Sequence, residues 1–402
     1  MKGNDRAIVG FTMLAHAMFH TYELAIPIFV TVWLDAFTTT EATLGIVVGA
    51  GYALIGLGAL PSGILADAYG SKPLVLGSAA GMGGGFLLVS LAPNVWVLGL
   101  ALILWGAGAS LYHPAGLSLL SRGTENRGTA FAYHGVAGNV GTVVGPLGAA
   151  VLLTYFEWRF VAMLFIAPAL IAGAAAFRLS FDERAATEDT AVATDGGLGS
   201  FHDLVSDSRA LFTWGFTVVF AVVMLYGLYY RGVLTFLPEI LGGTQLFDPV
   251  TVAGQSVEPS RYVYAGLLFV GMFGQYAGGK VSDRVDTEYA LVATFAALVV
   301  AALLFVPAST AGVVPLLAVC VLLGFFVYVA APVYQATIAD YVTADIHGLS
   351  YGFTYLAMFG IGALGAAIAG AILTYAGASA LFVTLATLAV LAGLLSVYLL
   401  VR

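Results

Sequence analysis

Gly63-Ile64-Leu65-Ala66-Asp67-Ala68-Tyr69-Gly70-Ser71-Lys72 closes the second apolar segment of this chain, and Gly279-Lys280-Val281-Ser282-Asp283-Arg284 closes the eighth. Each sets glycine, three residues and then aspartate at a segment end, where turn chemistry begins. The two copies stand at equivalent positions of two sets of six apolar segments. That register predicts a duplicated architecture.

The segments themselves set the class. Hydrophobic residues make up 60% of the 402 residues and charged residues 9%, with a mean hydropathy of +0.98. A soluble chain of this size would expose apolar surface and aggregate, so the expectation is a polytopic membrane protein surrounded by lipid. The fifty glycines suit close helix contacts in a bilayer. Continuous apolar runs, rather than short alternating ones, exclude an outer-membrane barrel. The single cysteine, Cys320, permits no internal disulfide and no cysteine metal cluster. The net charge of −8 resides mostly in one connecting stretch and points to no nucleic-acid partner. The first apolar segment contains His and Glu and lacks a small-residue cleavage site, so it reads as a retained span.

At about twenty residues per crossing, the predicted spans are 7–34, 43–66, 74–92, 95–120, 128–153, 158–178, 211–237, 260–281, 289–307, 312–338, 349–374 and 380–401. The predicted fold class is all-α integral membrane, with twelve transmembrane helices in two pseudo-symmetric six-helix halves. Residues 1–178 form the first half, 179–210 a hydrophilic linker, and 211–402 the second half. Phe201 to Arg209, at the linker's end, reads as a short amphipathic surface helix. With both termini inside, eleven of the fourteen Lys and Arg residues fall on the cytoplasmic side. This bias orients the protein in the cell membrane. A site near the bilayer midplane, between the halves, follows from the duplication.

Polar residues inside the spans mark that site. His16, His20 and Glu23 recur at intervals of four and three, which stacks them on one face of the first helix. Ionisable groups in a bilayer are costly and face a partner or a water-filled path. Glu23, His20 and His16 are therefore the predicted proton-coupling residues. Arg231, on the seventh span, requires a partner of its own; pairing with Glu23 across the cavity is the expectation, with snorkelling to headgroups as the alternative. His113, His134, Tyr226, Tyr328 and Gln335 complete the predicted cavity lining. Tyr334, Tyr351 and Tyr355 are weaker choices, because aromatics at helical spacing usually pack. His113 and His134 lack metal-ligand company, so no metal site is expected. No Gly-x-x-x-x-Gly-Lys-[Ser/Thr] stretch occurs, which argues against ATP drive.

On the two loop motifs, the chain resembles the major facilitator superfamily over its whole length. In that family the loop between spans 2 and 3 carries Gly-x-x-x-Asp-Arg-x-Gly-Arg-Lys, whose aspartate latches one conformational state. The resemblance implies a latch role for Gly63, Asp67, Gly70 and Lys72, and for Gly279, Asp283 and Arg284 in the second copy. Ala68 and Ser71 stand in place of the two arginines, and Asp286 replaces a glycine. Gly141-Thr142-Val143-Val144-Gly145-Pro146 on span 5 resembles the helix-5 motif of the family's exporters, though Ala132 replaces its leading glycine. A packing kink without directional meaning is the equal alternative. Tyr112-His113-Pro114-Ala115-Gly116 and His134-Gly135 resemble the fosmidomycin-resistance-like branch, known for efflux of small compounds.

These features imply a secondary transporter of a small organic solute, working as a monomer by alternating access without a cofactor. A proton-coupled exporter (antiporter) is the first reading and a proton-coupled importer the second. A non-transporting sensor or scaffold is the third. A membrane enzyme is disfavoured, since no nucleophile elbow is present and its ligands read as lying at mixed depths.

Overall fold

The computed structural model describes residues 3–186, 208–342 and 347–401. Lipid offers the backbone no hydrogen-bond partners, so each crossing must satisfy its own and becomes a helix. α1 (Gly3–Ala36) runs through Pro27 without a break. α2 (Glu41–Leu57) starts where the Thr40 side chain accepts from Thr43 N, and bends by 47° into α3 (Ala59–Tyr69). Gly70, at φ +89°, ends that span and admits α4 (Ser71–Leu91). Asn94 caps α5 (Val95–Ser110), which continues through Leu111 into α6 (Tyr112–Gly123). α7 (Arg127–Tyr155), α8 (Trp158–Leu164) and α9 (Ala167–Arg178) complete the first six crossings.

α10 (Trp214–Leu234) is capped by Thr213 and followed by the short α11 (Leu237–Gly242). α12 (Pro259–Ser282), α13 (Thr287–Ala311) and α14 (Val313–Tyr341) come next. α15 (His347–Tyr355) passes through a π-helical turn at Leu356–Ile361 into α16 (Leu364–Leu400). Gly377 (φ 82°) divides α16, a left-handed conformation open to glycine without steric cost.

Among the described residues, nine helices are long and apolar enough to cross a membrane, or ten when α2 and α3 count as one bent span. One of the nine is the 52-residue Leu349–Leu400, which Gly377 splits. α12 is diluted by Arg261, Gln275 and Lys280 but, at 24 residues, reaches roughly 36 Å. These elements are consistent with the expected twelve crossings. Residues 201–207 of the predicted surface helix lie outside the described residues.

Between α10 and α12 the chain forms α11 and a hairpin. Its strands are β1 (Val250–Val252) and β2 (Gln255–Val257). The hairpin turns at Ala253 and Gly254, both at positive φ, as a two-residue turn requires.

The duplication is visible in the packing. α2 meets α5 where Gly51 and Gly106 let the backbones touch; α12 meets α14 in the same manner at Gly274 and Gly324. Likewise α7 lies on α1 through Gly138, Gly141 and Gly145, and α10 lies on the α15–α16 crossing through Gly227 and Gly362. A Cβ at Gly141 would fall 2.1 Å from Ala17 O, and at Gly145 2.3 Å from Thr21 O. The span 5 glycines are therefore fixed by the approach of α1. Lys72, Arg122, Arg127, Lys280 and Arg284 gather at one end of the bundle, the basic end.

Candidate functional site: a polar cavity between the halves

A cavity of about 280 Å³ lies between the halves. It runs from Glu23, past the middle of α1, towards the basic end, where Leu117, Gly135, Gln335 and Tyr351 line it. One wall carries His16, His20, Glu23, His113 and His134; the other carries Tyr226, Tyr230, Tyr328, Tyr334 and Tyr355.

The α1 stripe is wired end to end. His16 Nδ1 donates to the His134 carbonyl at 2.8 Å, because a carbonyl only accepts. His16 Nε2 and His20 Nε2 are 3.1 Å apart, and His20 Nδ1 sits 2.8 Å from Glu23 Oε2. The other Glu23 oxygen accepts from Arg231 Nη2. Both members of this ion pair are 1% exposed, so Arg231 does not snorkel. It is held from the side as well, with its guanidinium 3.7 Å from the Tyr52 ring centroid and 5.2 Å from that of Tyr230. Such stacking is a favoured environment for a guanidinium. Tyr52 OH donates to the Glu23 carbonyl at 2.9 Å, fixing α1 at that level.

His113 and His134 join the stripe. The His134 ring stacks on His16 with centroids 3.8 Å apart, and His113 stands edge-on to His16 at 5.3 Å. Tyr112 OH donates to Thr12 O at 2.7 Å, so His134 Nε2, 2.9 Å away, donates to Tyr112. Donor atoms of His16, His20 and His113 all lie within 4.8 Å of one another. This corrects the expectation that His113 lacks metal-ligand company; His134 is not part of the group. Spans 4 and 5 both pack on the inner part of span 1, bringing residues distant in sequence to one level.

In the second half, Tyr226 OH donates to Val327 O at 2.6 Å. Tyr328 lies over Gly271. Gln335 lines the basic end of the cavity. Reading residues one at a time missed Tyr52, Asn139, Thr142, Gln275 and Thr354. Asn139 and Gln275 were detectable as amides inside apolar spans; Tyr52 was not, since a lone tyrosine carries no such signal.

Away from the basic end, the halves are joined by polar contacts. Arg261 Nε donates to Thr31 Oγ1 at 3.1 Å, and Thr154 and Tyr262 hydroxyls meet at 3.3 Å. Thr374 Oγ1 accepts from Ala42 N at 2.9 Å and donates to Glu41 at 3.0 Å. Glu239 of α11 sits in this region. Burial first, then the neighbouring Glu41 and Asp35 charges, push its carboxyl up to about 7, against the pull of Arg261.

The loop motifs differ in their partners. Asp67 accepts from Arg122 at the end of α6, both half-exposed. Lys72 Nζ donates to Leu179 O at 2.8 Å, and Glu183 accepts from Ser71 N and Lys72 N at 2.7 and 3.1 Å. A carboxylate on the α4 N-terminus complements the helix dipole. Asp283 makes no ion pair among the described residues, and Gly63 and Gly279 have open space around them.

The Major Facilitator Superfamily profile matches residues 10–363 and 263–402. The chain belongs to the Major Facilitator Superfamily. Among its curated relatives, puromycin resistance protein pur8 of Streptomyces alboniger is 29% identical over 226 residues, covering 54% of this chain and 44% of that protein. A multidrug resistance protein B homolog of Mycobacterium tuberculosis is 27% identical over 155 residues, 38% of this chain and 28% of its own length. A PmrA multidrug efflux pump homolog of Lactococcus lactis is 32% identical over 142 residues, 33% and 34% of the two chains. The chain spans less than half the length of these relatives. Among solved structures, a mutant of the nucleoside transporter NupG superposes with a TM-score of 0.78 at 13% identity, covering 98% of this chain and 99% of that one. A bacterial homolog of the human lysosomal transporter Spinster, in an inward-facing and occupied conformation, gives 0.75 at 14% identity over 99% and 97%. These likenesses place the facilitator fold on the whole chain.

Proposed function

We propose that the protein is a secondary transporter that expels a small organic solute across the cytoplasmic membrane in exchange for protons. The carrying observation is the buried Glu23–Arg231 pair, which ties the halves together at the closed end of the cavity. With the basic end cytoplasmic, the cavity opens inward and the contacts around Arg261 and Thr374 form the outer closure. Rocking the halves about this site gives alternating access.

The wiring supports proton exchange. Three hydrogen bonds in series, from the His134 carbonyl through His16 and His20 to Glu23, require three protons. Two neutral imidazoles and a carboxylate supply two. The series therefore has a place for one proton beyond two neutral imidazoles and a carboxylate. A proton delivered to Glu23 weakens its hold on Arg231; a proton released restores it. Tyrosines and the Asn139, Gln275 and Gln335 amides around the remaining space suit an amphipathic solute with hydrogen-bonding edges. The resistance relatives favour export, and the span 5 motif is compatible with it. The loop residues Asp67, Gly70 and Lys72 act as the latch of the basic end.

Inside-out membrane vesicles test this reading with puromycin and ethidium as probes. An acid-inside gradient should drive accumulation, because outgoing protons exchange for incoming solute, and Glu23→Gln should abolish it. Accumulation driven only by an alkaline interior would make the protein a symporting importer and overturn the export reading.

A further inference from the structure

We infer that the cavity binds a late first-row divalent cation of the zinc class through His16 Nε2, His20 Nε2 and His113, with a fourth position facing the cavity. The lone pairs already converge, since the His16 and His20 Nε2 atoms are 3.1 Å apart and all three donors lie within 4.8 Å. Tetrahedral zinc, with nitrogens about 2.1 Å away, spaces its ligands about 3.4 Å apart. A small rotation of His113 completes that triangle. Three imidazoles and no thiolate or second carboxylate suit Zn²⁺, Cu²⁺ or Ni²⁺ rather than Ca²⁺ or Mg²⁺.

Two further observations distinguish this cluster from a chance meeting of histidines. Metal-ligating imidazoles usually donate their second nitrogen to a carbonyl or carboxylate, which fixes the tautomer and ring orientation. His16 does so to the His134 carbonyl and His20 to Glu23, so each presents Nε2 and no other atom. His113 has a buried Nδ1 without a hydrogen-bond partner among the described residues, an expense a purely structural histidine would avoid. His20, the most exposed of the coupled pair, borders the cavity, which gives an ion an entry path and leaves its remaining position to water or to a donor atom of a solute. The ion takes the place of the proton shared between His16 and His20, so the two occupants exclude each other. The same chemistry is met by a free aquo ion or by a metal already carried on a small chelating solute.

Titration calorimetry on tag-free, full-length protein in detergent tests the site with Zn²⁺ alone. Saturable binding of one ion per chain is expected, with about one proton released per ion. His113→Gln and His16→Gln should each weaken binding by more than about tenfold, and Glu23→Gln by about tenfold to a hundredfold through His20. Co²⁺ bound to the unmutated protein should show the intense visible absorption of tetrahedral coordination, a readout independent of how well the variants fold. A parallel titration with Zn²⁺–citrate separates the sources: tighter binding than free Zn²⁺ identifies a metal–solute complex, weaker binding the free ion. No saturable Zn²⁺ binding, or binding unchanged in both histidine variants, overturns the site. Because none of these measurements uses transport, they stand or fall apart from the export reading.

Discussion

The two walls of the cavity are built from different chemistry. The first-half wall carries four histidines and a glutamate, and two of the imidazoles, His16 and His20, link the His134 carbonyl to Glu23. The second-half wall carries tyrosines and the Gln275 and Gln335 amides, and buried behind it is Arg231, whose charge does not change at any working pH. Duplicated halves thus keep the same helix packing while differing in side chains: titratable groups on one side, tyrosines and amides on the other. Among the described residues, one buried ion pair, Glu23–Arg231, joins them.

Removing one member of that pair tests the division most severely. Arg231→Gln leaves Glu23 buried with His20 alone, and thermal unfolding in detergent should show a loss of about 3–5 kcal/mol. Adding Glu23→Gln should restore most of the stability but no gradient-driven transport. Equal instability of single and double variants would show that Arg231 serves packing rather than the pair. Next in size, Gly145→Val pushes a side chain into the Thr21 carbonyl and should cost about 1–3 kcal/mol by overpacking; the same change at Gly148, which has open space, should cost far less.

Smaller effects separate the two loop copies. Asp67→Asn loses a half-exposed pair worth at most about 1 kcal/mol but should slow solute exchange, whereas Asp283→Asn should alter neither. The smallest expected effect lies at the outer closure. Glu239 has its carboxyl raised to about 7 from 4.5, so the folded protein holds a proton that the unfolded chain has lost. Stability should therefore fall as pH rises from about 4.5 through 7. Asp35, Glu41, Glu258 and Arg261 are the charges facing it. Glu239→Gln should flatten that slope in a melting series, and an unaltered slope would assign it elsewhere.

Much of this was legible in the chain. Ionisable residues in apolar spans are so costly that Glu23 and Arg231 could be matched before their contact was seen. The repeated Gly-x-x-x-Asp fixed the halves, because it recurs in register. The histidine cluster was not legible. His113 and His134 lie far from His16 in sequence, and depth along separate helices says nothing about which faces meet. Gly141 and Gly145 were read as an exporter-type motif or a packing kink; with Gly138 they line the track along which α1 lies against α7. The hairpin after α11 escaped notice because three-residue strands leave almost no periodicity.

The central claim is that the Glu23–Arg231 pair holds the halves closed at the end opposite the basic loops. Spin labels at Glu157→Cys and Ala311→Cys, in a Cys320→Ala background, report the separation of the halves at that end by pulsed electron resonance, whatever the solute. Glu23→Gln should add a longer-distance population absent from the parent. A distance distribution identical to the parent's would contradict the claim.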